Sequence, residues 1–268
     1  MYGAILGDII GSPYEFTGGT KTKEFPLFTA NPTFTDDTVM ALAVADAFMD
    51  SFADASDEWI LKRLTIQMRY YGKKYPNAGY GHKFWRWLKT PYPKPYNSFG
   101  NGSAMRVSSA AWLYNDLKTV RKMARLSAVI THNHPEGIKG AESVASAIFL
   151  ARTGAGKDKI QEYIETNFGY DLSRTCEDIR PTYQFEGSCQ KSVPEAIIAF
   201  LDGESFEDCI RNAVSLGGDT DTQAAITGSI AEGFYGVSDD LKAKCKTHLP
   251  ESLLQVLLRF ENLRSEIK

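Results

Sequence analysis

The sequence predicts an all-α protein folded as a single domain over residues 1–268. Three observations carry that expectation. Apolar residues recur at steps of three and four in one segment after another, strand-type alternation is scarce, and alanines crowd the apolar stripes. Hydrophobic residues make up 43% of the chain and aromatic ones 12%, enough for a substantial core at this length.

Residues 36–50 place Val39, Leu42, Ala43, Ala45 and Ala47 on a broad apolar stripe, which predicts a helix. Residues 57–71 follow with Trp59, Ile60, Leu64 and Met68. The stretch 103–114 is short and alanine-rich, and 117–131 continues through Val120, Met123, Ala124 and Ala128. Residues 135–152 read as a helix buried nearly all round, with small residues that permit close contacts. An amphipathic segment at 158–167 precedes predicted helices at 193–201, 205–215, 221–235 and 251–267. Ser205 with Asp208 three positions on predicts a helix cap of the capping-box type.

Only 23–28 and 180–185 offer weak strand candidates. The Pro/Tyr-rich 90–96 and the glycine-bearing 169–192 read as loops. Trp59, Trp85, Trp87 and Trp112 lie in apolar patterns and are expected in the core. Tyr92 and Tyr96 are expected at the mouth of a cleft.

Thirty basic against 33 acidic residues leave a net charge of −3, which gives no electrostatic footprint for duplex nucleic acid or an anionic membrane. No segment reaches the roughly 20 apolar residues of a membrane span. The opening residues lack a signal-peptide pattern. Cys176, Cys189, Cys209 and Cys245 are widely spaced and read as reduced thiols. A cytoplasmic monomer is the resulting expectation.

The chemistry concentrates in two short clusters, each opening a predicted helix: Thr35-Asp36-Asp37-Thr38 and Gly217-Gly218-Asp219-Thr220-Asp221-Thr222. Helix capping accounts for one or two such residues at a helix start. Four in one cluster exceed that need, and adjacent carboxylates repel unless a cation or donors neutralise them. Dense carboxylates and hydroxyls are hard oxygen ligands of the kind Mg²⁺, Mn²⁺ or Ca²⁺ prefer. In the second cluster Gly217-Gly218 allows a tight turn, after which Asp219 and Asp221 can point the same way. The twelve-residue loop of an EF-hand is missing.

The two clusters resemble the metal motifs of the ADP-ribosylglycohydrolases. Gly3-Ala4-Ile5-Leu6-Gly7-Asp8-Ile9-Ile10-Gly11-Ser12-Pro13-Tyr14-Glu15 resembles that family's opening helix and glutamate. Ser98-Phe99-Gly100-Asn101-Gly102-Ser103-Ala104-Met105-Arg106 resembles its glycine-rich loop, and Thr131-His132-Asn133-His134-Pro135 its Thr-His segment. The five motifs occur in family order across nearly the whole chain.

The resemblance implies a compact orthogonal helical bundle around a binuclear metal site. It implies metal ligation by Thr35, Asp36, Asp37, Asp219, Asp221 and Thr222, with two Mg²⁺ ions, or Mn²⁺ in their place. Glu15, Asp36 and Asp37 become the candidate catalytic residues. Ser98, Phe99, Gly100, Asn101, Gly102, Ser103 and His132 become the candidate substrate-binding set. Asp8, a single charge on the apolar first helix, reads as a buried carboxylate behind the ligands or as a simple cap, with the first favoured.

The implied reaction is hydrolysis of the glycosidic bond between ADP-ribose and a protein or small-molecule acceptor, with arginine favoured over serine. Two other readings are a binuclear phosphoesterase and a non-catalytic ADP-ribose binder. All six ligand positions being filled by ligating residue types argues against the binder.

Overall fold

The computed structural model describes residues 1–17, 20–50 and 55–267. It is all-α: the described residues form helices throughout, and their only strand-type pairing is one antiparallel bridge between Gly100 and Ser188. In chain order the helices are α1 (Tyr2–Gly11), α2 (Asp36–Met49), α3 (Asp57–Lys74), α4 (His82–Lys89) and α5 (Ser108–Leu113). Then come α6 (Leu117–Val129), α7 (Pro135–Arg152), α8 (Lys157–Phe168), α9 (Cys176–Ile179) and α10 (Cys189–Asp202). The chain finishes with α11 (Phe206–Leu216), α12 (Thr220–Tyr235), α13 (Asp239–Thr247) and α14 (Glu251–Ile267). One hydrophobic cluster runs from Met1 to Phe260.

The centre is built by helices with too little side chain to keep neighbours apart. Gly3, Gly7 and Gly11 stand at four-residue spacing on one face of α1, against α12. A Cβ on Gly7 would lie 2.1 Å from the Ala224 carbonyl oxygen, and one on Gly3 1.9 Å from that of Gly228. Backbones therefore touch directly, and the Thr220 hydroxyl donates to the Gly11 carbonyl at 2.8 Å. This contact sets the end of α1 beside the start of α12. Several interior hydroxyls of the core helices are satisfied by main-chain carbonyls. Thr227 donates to Ala196 at 2.7 Å and Ser146 to Glu142 at 2.7 Å.

Most helix boundaries follow the periodicity, and α7 spans the predicted residues. Ser205 accepts from the Asp208 amide, as its spacing predicts. Four differences have physical causes. The helix predicted from 103 starts at Ser108, because 101–103 form a 3₁₀ turn tied to a separate segment, with the Asn101 amide on the Gly187 carbonyl. The helix predicted from 193 starts at Cys189 and carries Pro194 inside. Proline there forfeits one hydrogen bond near the helix start, while burial of Cys189, Ser192 and Val193 holds the turn.

The strand candidates are coil, since other groups take their backbone. Arg211 donates to the carbonyls of Lys23 and Phe25 at 2.9 and 2.8 Å, and Lys21 to that of Tyr183 at 2.6 Å. Three short helices, α4, α9 and α13, were absent from the sequence expectation. Caps mark two of them: Thr175 with Asp178 for α9, and Ser238 for α13.

Trp87 and Trp112 are buried. Trp59 is half-buried, and Trp85 is 39% exposed with the Lys89 ammonium 3.2 Å from its ring centre. Trp85 is thus a surface residue, stabilised by its cation contact rather than by burial. All four cysteines are buried and form no disulfide. Among the described residues no helix is long and apolar enough to cross a membrane.

The α1–α12 contact makes a direct prediction. Gly7→Ala should destabilise the protein by about 1–3 kcal/mol through overpacking against backbone that cannot yield. Gly156→Ala, where an added Cβ meets nothing within 4 Å, should stay within about 0.5 kcal/mol of the parent. Chemical denaturation of the two variants reads the difference, and equal midpoints would contradict the close-contact account.

Candidate metal centre and substrate cleft

Three chain turns converge where α1, α2 and α12 meet. Glu15 lies in a 3₁₀ turn, Ser12–Thr17, directly after α1. Thr35 is the N-cap of α2, and Asp36 and Asp37 are its first residues. Asp219 is the N-cap of α12, with Asp221 in the first turn. Gly217 and Gly218 have φ of 77° and 87°, the left-handed region, so the tight turn expected before α12 is present. A Cβ on Gly218 would also approach the Gln184 carbonyl oxygen to 2.9 Å.

Asp8 organises this junction from α1. It is fully buried, and its carboxylate accepts from the Thr35 amide at 2.8 Å, the Thr35 hydroxyl at 2.8 Å and the Thr38 amide at 3.0 Å. A side chain of one helix thereby caps the start of another. The Thr35 hydroxyl also accepts from the Asp37 amide at 3.3 Å. Asp8 thus combines both readings: it is buried behind the ligand candidates and caps α2.

The two acid-hydroxyl clusters meet. The Thr222 hydroxyl donates to Asp37 Oδ2 at 3.2 Å. Glu15, Asp219 and Asp221 each bring a carboxylate oxygen within 4.8 Å of the others. Among the described residues no basic side chain forms an ion pair with Glu15, Asp36, Asp37, Asp219 or Asp221.

Burial and mutual repulsion therefore push Glu15, Asp36, Asp37 and Asp221 toward their protonated forms. Glu15 rises to about 7, through burial and then Asp219 and Asp8. Asp36 rises to about 8, through burial and then Asp8 and Asp219. Asp37 and Asp221 are raised well above the usual carboxylate range, chiefly by burial. Asp37 Oδ1 is buried without a hydrogen-bond partner. An orphaned carboxylate oxygen amid uncompensated carboxylates fits a divalent cation, and an all-oxygen donor set suits a hard one.

Above the acids opens a cleft of about 540 Å³, lined by Glu15, Thr35, Asp36, Asp37, Asp219, Asp221 and Thr222 at its base. Ser98, Gly100, Asn101, Gly102 and His132 form one wall. The Asn101 side chain turns to the acids, its Nδ2 donating to Asp219 Oδ2 at 2.8 Å. The Ser103 hydroxyl is fully buried and donates to the Gly137 carbonyl at 2.7 Å, so it fastens the loop to α7 from behind. Phe99 is 48% exposed beside His134, outside the cleft lining.

His132 is buried and neutral, its pKa held well below the usual histidine range by burial and then by Arg106. Arg106 donates to the Thr131 hydroxyl at 2.8 Å, and that hydroxyl lies 2.7 Å from His132 Nδ1. With the hydroxyl proton given to Nδ1, the imidazole carries its own proton on Nε2. Nε2 faces the glycines: Cβ atoms on Gly102 and Gly100 would be 3.4 and 3.5 Å away.

The opposite wall was not found by sequence reasoning. Gly79, Gly81, His82, Lys83 and Phe84 line it, while Phe185 and Gly187 line the cleft beside the glycine-rich loop, where the Asn101 amide meets the Gly187 carbonyl. Its available signal was the Gly79-Tyr80-Gly81 pair of glycines in a connection between helices. Tyr96 lines the cleft as expected, whereas Tyr92 is 90% exposed and outside it.

The arrangement defines a class: an all-α glycohydrolase with an acidic, metal-capable centre at converging helix starts. The family described as ADP-ribosylglycohydrolase matches residues 1–267, and the chain belongs to that family, whose members hydrolyse ADP-ribose conjugates. It is 28% identical to ADP-ribosylhydrolase ARH3 of Homo sapiens, over 88% of this chain and 84% of that protein. It is 25% identical to ADP-ribosylarginine hydrolase Tri1 of Pseudomonas putida (strain GB-1), over 89% of this chain and 70% of that one. A solved structure titled "ADP-ribosylglycohydrolase-related protein complex" shares the fold with a TM-score of 0.71 at 22% identity, covering 98% of this chain and 95% of its own.

The raised carboxyl values imply a pH dependence with a definite sign. A carboxyl whose folded value exceeds its unfolded one favours folding while protonated. That contribution is complete below the unfolded value near 4 and is lost as pH rises through about 7 for Glu15 and about 8 for Asp36. The melting temperature of chelator-treated protein should therefore fall from about pH 5 to about pH 8, less steeply in Asp36→Asn. Added divalent cation should raise it more at the higher pH. A flat or rising profile in the chelator-treated parent would contradict the clustering.

Proposed function

We propose that this protein hydrolyses the glycosidic bond joining ADP-ribose to a modified acceptor, using two Mg²⁺ ions held by Thr35, Asp36, Asp37, Asp219, Asp221 and Thr222. The observation that carries this reading is the convergence of both acid-hydroxyl clusters at the base of one cleft, joined by the Thr222–Asp37 hydrogen bond. Divalent ions bound there supply Lewis acidity, orient oxygen ligands and lower the pKa of water. Mn²⁺ suits the same donors.

The protein's own residues then divide the work. Glu15 stands at the cleft base with its pKa near neutrality in the metal-free site, so its carboxyl can hold or release a proton at the acceptor atom or at the attacking water. Cations at the neighbouring acids pull that value down, toward the base form. On the glycine wall, the amide of Gly102 donates to no protein group among the described residues, and His132 Nε2–H lies beside it. These two donors suit phosphate oxygens without adding charge. With the diphosphate on that wall and the distal ribose over the acids, the anomeric carbon lies beside Glu15.

An arginine acceptor is favoured. Phe185 is 58% exposed on the cleft rim, and the place a Gly187 Cβ would occupy is 3.9 Å from both a Phe185 ring carbon and Asp219 Oδ2. A flat aromatic face that close to the acids suits a stacked guanidinium. The relative from Pseudomonas putida bears the name ADP-ribosylarginine hydrolase, which supports the same choice.

Arginine-linked and serine-linked ADP-ribosyl substrates, each with and without EDTA, test the proposal through release of free ADP-ribose. Release should be faster from arginine, stop with EDTA and return with Mg²⁺. Asp36→Asn and Asp221→Asn should each abolish it, and Glu15→Gln should lower kcat by about 10²–10⁴-fold. Phe185→Ala should raise KM for the arginine conjugate alone. Release of AMP or inorganic phosphate in place of ADP-ribose would refute the glycosidase reading.

A further inference from the structure

One side chain joins the glycine-rich loop to the acidic cluster. Asn101 and Asp219 are both 7% exposed, and the amide nitrogen of the first donates to the carboxylate of the second at 2.8 Å. The backbone of Asn101 is fully committed. Its N–H donates to the Gly187 carbonyl at 2.8 Å, and its carbonyl accepts from the amides of Ala104 at 2.8 Å and Met105 at 3.1 Å. A side chain anchored at both backbone groups cannot swing toward a ligand without leaving Asp219 short of its donor.

The loop itself is fastened on its far side. The Cys189 amide donates to the Phe99 carbonyl at 2.9 Å, and the Cys189 thiol to the Gly100 carbonyl at 3.0 Å. The thiol keeps its proton, because burial pushes its pKa up to about 12. Asp219 stands at the N-cap position of α12, where its carboxylate makes no capping bond, so the side-chain hold on it comes from a loop pinned to the start of α10.

An amide nitrogen can only donate. It occupies one lone pair of Asp219, fixes the plane of the carboxylate and leaves the remaining lone pairs to the cluster shared with Glu15 and Asp221. Groups that hydrogen-bond a ligating carboxylate orient it in this manner.

We propose that Asn101 is a positioning residue for the metal centre: its amide sets the orientation of Asp219, so that ligand geometry at the acids depends on the seat of the glycine-rich loop. This rests on the metal reading above and departs from the expectation that Asn101 binds substrate directly. By reciprocity, metal at the acids steadies the wall that carries the Gly102 amide and His132.

Calorimetric titration of Mg²⁺ and Mn²⁺ into EDTA-stripped protein tests it, on the parent, Asn101→Ala and Asn101→Leu, the last keeping the shape without the donor. Both variants should bind metal about 10–100-fold more weakly, while ADP-ribose binding in EDTA stays within about threefold of the parent. Parent-like metal affinity with weakened ADP-ribose binding in EDTA would assign Asn101 to the ligand and overturn the proposal. Loss of thermal stability in both variants with unchanged metal affinity of the folded protein overturns it too. A parent that binds no metal would instead sink the metal reading, and this inference with it.

Discussion

The contact on which the rest depends is the glycine face of α1 pressed against α12. Its backbone-to-backbone closeness places two helix ends side by side, one giving Glu15 and the other Asp219 and Asp221. The same helix carries Asp8, which caps α2 and so orients Thr35 and the acids that follow it. A larger side chain at Gly7 would separate the helices and, with them, the two halves of the site. Packing and chemistry are thus one constraint here, because the elements that bury the core also aim the carboxylates.

That geometry has an electrostatic cost that the fold does not cancel internally. Helix N-termini soften it, since each cluster sits where unpaired amides and the dipole favour negative charge. Burial and mutual repulsion still raise Glu15, Asp36, Asp37 and Asp221, with no ion-paired cation among the described residues to relieve them. Strain left uncompensated at a site normally signals a function that uses it. A divalent cation bound there would relieve it, and protonation is the alternative in its absence. On the proposed metal reading, proton and cation compete for the same oxygens.

Local chemistry made much of this legible in the sequence. The 3.6-residue period located the long helices, and the two clusters were visible because too many ligating residues stood together for capping alone. Asp8 was readable as one charge on an apolar helix. Neither the cleft's second wall nor Phe185 was readable: Gly79 to Phe84 reaches the acids only through the packing of α3 and α4, and Phe185 through a coil fixed by Lys21 and Tyr183. Trp85 looked like core for a related reason. Its helix is strongly amphipathic but short, so the residue that faces outward is decided by neighbours the sequence does not name. The glycine-rich loop was recognised as a unit, yet its members serve different ends: Ser103 fastens, Asn101 holds an acid and Gly102 faces the cleft.

That division of labour explains why a loop so rich in glycine is also so rigidly seated. Glycine lets its backbone approach a ligand, but conformational freedom would dissolve a binding surface made of main-chain donors. The fold restrains it at three points: the Ser103 hydroxyl on α7, the Cys189 thiol and amide at α10, and the Asn101 amide on Asp219. The first two are structural anchors in the core. The third runs through the acidic cluster, so the loop's position and the state of the acids are mechanically linked. On the proposed reading the diphosphate and the anomeric carbon meet these two surfaces. The core anchors hold the loop itself, and the Asn101 amide fixes the orientation of Asp219 relative to it.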